Sequence, residues 1–78
     1  MQKYIITQNR KSVVNVTNHS FYLNLENNTW VIYTGRENVL IEKLGCYETI
    51  EEARSALFDI CKFLKDEKSI IFALPRHY

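Results

Sequence analysis

The groups that could do chemistry in this chain are few and scattered. There are two cysteines, Cys46 and Cys61, and two histidines, His19 and His77. A zinc site needs several thiolate or imidazole ligands brought in as close pairs. Here the cysteines stand 15 positions apart, and the histidines fall in a turn and in the tail. Nucleophilic or acid–base catalysis needs a nucleophile and a base within reach of each other. Asp59, Glu51 and Glu52 have no spaced histidine or cysteine partner. The expectation is a protein that is not an enzyme and takes no metal and no cofactor. Cys61 borders an apolar stripe and is expected to be a buried, inert thiol. Two cysteines without a leader segment suit reduced thiols better than a disulfide.

Residues suited to binding are better represented. Gln8-Asn9-Arg10-Lys11 forms a polar, basic tip. It could meet a partner or a phosphate, or it could be a hydrophilic hairpin turn. Tyr4, Phe21, Tyr22, Trp30 and Tyr33 supply aromatic surface. Alternation puts Tyr22 and Tyr33 on the face opposite Phe21, Leu23 and Leu25, where they would serve a protein interface, cross-strand pairing or, less well for want of interleaved basic residues, base stacking. Phe58 is the misfit of its segment: at 100° per residue it lies about 60° beyond the edge of the apolar stripe, among polar neighbours. The candidate interface residues are therefore Phe58, Tyr22, Tyr33, Arg10 and Lys11.

The elements that must position these residues can be read along the chain. Tyr4–Thr7 and Ser12–Val16 are short β-branched runs around the polar tip and predict a hairpin. Ser20–Leu25 alternates apolar and polar residues as a half-buried strand does. Glu26-Asn27-Asn28-Thr29 is a turn, followed by a strand at Trp30–Thr34. Gly35-Arg36-Glu37-Asn38 turns again before a strand at Val39–Leu44. Thr49 is a good N-cap, and Glu52, three residues on, predicts a capping box. The helix it opens carries Ile50, Ala53, Ala56, Leu57, Ile60, Cys61, Phe63 and Leu64 on one broad stripe and ends near Asp66. Docking is expected through Ala53, Leu57, Ile60 and Leu64. Ser69–Leu74 is a last strand, closed by Pro75.

Strands in a run followed by a helix predict an α+β fold. The expected architecture is an antiparallel β-meander of about five strands, with one amphipathic helix packed on one face and a final short strand. The 78 residues make a single domain, residues 1–78, with room for one small core. Apolar content of 46% and charged content of 24% are ordinary for such a domain. A net charge of +1 argues against a strong electrostatic grip on nucleic acid. No apolar run approaches the roughly 20 residues that cross a bilayer, and the first residues do not read as a secretory leader. The expected location is the cytoplasm of a bacterial host cell, with no membrane association.

The layout as a whole resembles a group of short proteins of low-GC Gram-positive bacteria, their phages and mobile elements. The matching positions are Ile5, Ile6, Thr7 and Gln8, then Lys11, Val14 and Asn15. They continue through Gly45, Tyr47, Thr49, Ala53, Leu57 and Ile60 to Phe72 and Pro75. The resemblance implies a fold and a genomic setting, and it carries no activity and no residue role. The resulting expectation is a small non-enzymatic phage-type or mobile-element protein. It would act by binding another protein, either itself as a homodimer or a host component, as a modulator or inhibitor of a host defence system. The alternatives are a nucleic-acid-associated accessory protein using Arg10, Lys11 and Arg36, and a small-ligand binder that sequesters a nucleotide.

Overall fold

The structure, a computed structural model, describes residues 2–37 and 39–78. The element order is β1 (Tyr4–Ile6), β2 (Val13–Asn15), β3 (Ser20–Glu26), β4 (Thr29–Arg36), β5 (Val39–Tyr47), α1 (Ile50–Lys65) and β6 (Ile71–Ala73). The fold is α+β, with strands, one helix and a closing short strand in the expected order. The strands divide into two three-stranded sheets, ordered β2-β1-β6 and β3-β4-β5. The last strand does not extend the meander. It runs parallel to β1, with Ile5 opposite Phe72. β1 is the central strand of its sheet, pairing over three residues with β2 on one edge and over three with β6 on the other.

The β3–β4 hairpin turns through Asn27 and Asn28, both in the left-handed region at φ 48° and 63°. Consecutive left-handed residues make the type I′ turn whose twist matches a hairpin, and asparagine tolerates them best after glycine. Register follows: Tyr22 opposes Tyr33, Leu23 opposes Ile32 and Leu25 opposes Trp30. The expected turn after Thr34 begins later than its residues suggested, because Gly35 and Arg36 continue β4. Its Asn38 lies outside the described residues.

Thr49 caps α1: its hydroxyl oxygen accepts from the Glu52 amide at 3.2 Å. The capping box takes a variant form. The Glu52 carboxylate accepts from the Thr49 hydroxyl at 3.1 Å rather than from the Thr49 amide. Glu51 and Glu52 occupy the first turn and Lys62 and Lys65 the last, in the sense the helix dipole favours.

The helix packs on β4 and β5, but rotated from the expected face. Its buried residues are Ala53, Ala56, Ile60 and Phe63, while Leu57 and Leu64 are half-buried at the flanks. The two alanines bring the helix backbone close to the sheet. Phe63 then reaches β6, where its ring stacks on Phe72 at 5.5 Å. Ile5, Val14, Val16, Ile32, Leu44, Tyr47 and Leu74 complete the core, so both sheets contribute to it. Cys61 is exposed, contrary to the buried thiol expected, because the same rotation turns it to solvent. Both cysteines are free thiols.

Candidate functional site

The two sheets meet at a seam built on Gln8, the second residue after β1. Its amide donates to Leu44 O at 2.8 Å, so β5 gains a backbone partner from the other sheet. Its side chain then imitates a further peptide unit. Nε2 donates to Cys46 O at 2.8 Å, and Oε1 accepts from the Cys46 amide at 2.9 Å. Gly45 lies between these contacts. A Cβ there would stand 2.7 Å from Gln8 Cβ and 2.9 Å from Leu74 Cδ2, closer than carbon atoms approach. The Tyr47 hydroxyl donates to Pro75 O and ties the tail to the same seam. Burial pushes the Tyr47 phenol up to about 12. Tyr78 packs edge-on against it, with centroids 5.6 Å apart, and donates its hydroxyl to Asp59 at 2.6 Å.

Beside this seam is an open depression of about 480 Å³, lined by Thr29, Cys46, Tyr47, Glu48, Glu52, Arg76 and His77. Tyr47 and Glu52 on its wall are engaged in holding the tail and capping the helix. Among the described residues, no cluster of three or more histidine, cysteine or acidic side chains could hold a metal ion. No helix among them is long and apolar enough to cross a membrane.

The five candidate interface residues do not form one patch. Phe58 stands on the outer side of α1, 64% exposed, with the Lys62 ammonium 5.1 Å from its ring centroid. Tyr22 and Tyr33 face each other on β3 and β4, on the side of the sheet away from Ile32 and hence away from the helix. Both are half-buried. The Tyr33 hydroxyl donates to the Glu26 carboxylate at 2.7 Å, and the Asn24 amide donates to the same oxygen at 2.8 Å. These bonds hold the Glu26 carboxyl below its ordinary range.

Arg10 and Lys11 lie in the β1–β2 loop. Arg10 is left-handed at φ 65°, and its guanidinium turns inward. It donates to Leu74 O at 2.6 Å and to Thr7 O at 3.2 Å, bracing the loop against the segment after β6. Arg10 and Lys11 are both exposed, and one guanidinium nitrogen of Arg10 is engaged in bracing the loop.

Two residues have roles in the fold that their sequence surroundings do not show. One is Gln8 as the seam, for which its short distance from a strand end gave no sign. The other is Lys3, which is 8% exposed and inserts its ammonium among the carbonyls of Phe63, Asp66 and Ser69 at the end of α1. A lysine at the third position reads as surface, and only the long-range packing reveals the clamp.

Comparison with protein families, with curated proteins and with solved structures returned no match for this chain.

Proposed function

We propose that this chain is a small non-enzymatic protein of phage or mobile-element type that works by binding another protein, with a component of a host defence or regulatory system as the class of partner. One observation carries the reading. Phe58 is 64% exposed, while Ala53, Ala56, Ile60 and Phe63 of the same helix are buried and Leu57 and Leu64 flank the core. An aromatic ring of this size left in water is the kind of anchor that protein interfaces use. The Gln8 amide and the Tyr47 hydroxyl fit the same reading, since they are occupied in holding strands and tail together.

The test is a matched capture. Immobilised wild type and Phe58→Glu are exposed to the same bacterial host lysate, and their melting temperatures are compared. The expected result is a retained protein that Phe58→Glu loses at an unchanged melting temperature. Equal retention by both chains contradicts the reading. Should Phe58→Glu unfold, Phe58 belongs to the core and the reading also fails.

A further inference from the structure

The four sheet edges of this fold are not equally protected. Strands left open at an edge template pairing with another chain unless they are short, charged, bulged or covered. β2 and β6 are three residues each, and β6 runs into Pro75. β5 carries Glu42 and Lys43, its pairing with β4 shifts register twice, and Gln8 occupies Leu44 and Cys46. β3 has none of these devices. It is seven residues long, pairs in unbroken register with β4 and carries no proline or basic residue; its one charge, Glu26, is at the end.

The groups on that edge can be assigned from the hairpin. A two-residue type I′ loop is closed by a hydrogen-bonded pair, here Glu26 and Thr29. Hydrogen-bonded and open pairs alternate along an antiparallel ladder. Asn24, Tyr22 and Ser20 therefore bond to β4, and Phe21, Leu23 and Leu25 point their N–H and C=O groups outward. Among the described residues no other bond to these three backbones is formed outside the sheet ladders.

We infer that β3 pairs antiparallel with β3 of a second copy of this chain, about a two-fold axis at Leu23, joining two three-stranded sheets into one. The sequence Ser-Phe-Tyr-Leu-Asn-Leu-Glu is self-complementary in this register. Leu23 meets Leu23 of the second copy, Phe21 meets Leu25, Tyr22 meets Asn24, and Ser20 meets Glu26. No like charges face each other, and Leu25, 55% exposed in the single chain, gains an aromatic neighbour. This centre is the one that engages all three outward residues of both copies, giving six backbone hydrogen bonds. A symmetric contact of this kind is self-complementary by construction. It uses a different surface from Phe58, so it stands or falls independently of the proposed partner.

Sedimentation across a wide concentration range, together with amide hydrogen exchange on the wild-type chain, tests it. The expected results are a species of twice 9.3 kDa at high concentration and protection at the Phe21, Leu23 and Leu25 amides that rises with concentration. The Tyr22 and Asn24 amides should be protected at every concentration. Leu25→Lys should weaken association at least about tenfold, since a lysine on an edge strand opposes pairing. A chain that stays monomeric at millimolar concentration overturns the inference. So does a dimer whose Phe21, Leu23 and Leu25 amides exchange as fast as in the monomer. If Leu25→Lys unfolds, the exchange result on the wild type decides alone.

Discussion

The side chain of Gln8 and the backbone of Cys46 form two reciprocal hydrogen bonds, 2.8 and 2.9 Å long, across the join between the two sheets. This pairing sets how the β2-β1-β6 sheet sits on β5, and it works only because Gly45 leaves the space. Gly45→Ala should destabilise the fold by about 1–3 kcal/mol, because the atom it would strike is Gln8 Cβ, held close to the backbone. Gln8→Ala should cost about 1 kcal/mol by leaving the part-buried Cys46 amide and carbonyl without their partner. Thermal melting of both variants checks this, and wild-type stability in either would mean that the seam is dispensable.

Lys3 should matter far more than an N-terminal lysine usually does. Its ammonium satisfies carbonyls at the C-terminal end of α1 and lies 4.9 Å from the Phe63 ring centroid. Lys3→Met keeps much of the apolar stem but strands those carbonyls, at a cost of about 1–3 kcal/mol. Denaturant unfolding measures it. A Lys3→Met chain as stable as wild type would show that water serves these carbonyls equally well.

The cap of α1 separates substitutions that look alike. Thr49 both accepts from the Glu52 amide and donates to the Glu52 carboxylate. Thr49→Ser keeps both bonds and should be nearly neutral. Thr49→Ala should cost about 0.5–2 kcal/mol. Thr49→Asp should fall between them, since a carboxylate accepts the amide but cannot donate to Glu52. Melting temperatures in the order Ser, Asp, Ala would support this; an Asp variant matching Ser would show that the hydroxyl's donation contributes nothing.

Much of the fold was legible because it depends on local pattern. Alternation along Ser20–Leu25, paired asparagines at a turn and a threonine three residues before a glutamate each act within a few residues of themselves. The division into two sheets was not legible. It rests on β6 pairing with β1 across most of the chain, and short apolar strands carry no mark of their partner. The helix face was misjudged by part of a turn because leucine outweighs alanine in any apolar pattern. Here the alanines' small size, not their hydrophobicity, is what the sheet contact requires. Phe58 could be identified because an exposed ring breaks periodicity. The bond from Arg10 to Leu74 O was not legible, because a basic loop residue carries no mark of a partner 64 positions away.

Tyr47 gives the fold a dependence on alkaline pH. Its phenol is raised to about 12 in the folded chain, against 10 for an ordinary tyrosine, chiefly by burial. A raised acid is neutral in both states below pH 10, so its contribution to stability is complete there. As pH rises from 10 toward 12, the unfolded chain ionises first and stability falls. Tyr47→Phe loses the bond to Pro75 O and should be less stable at neutral pH, with a shallower loss across that window. Unfolding measured at pH 9, 10 and 11 tests it. Parallel declines in both chains would place the alkaline sensitivity elsewhere.

On the proposed function, this chain works through apolar contact with another protein. The most direct measurement is the salt dependence of binding to a partner captured by wild type and lost by Phe58→Glu. An apolar contact should change less than about threefold in affinity between 50 and 200 mM salt, because few counterions are released. Phe58→Glu should weaken the same complex at least about tenfold, as loss of an interface anchor does. A fall of about a hundredfold or more over that salt range, with Phe58→Glu binding as well as wild type, would contradict the claim and point to a contact made through charge.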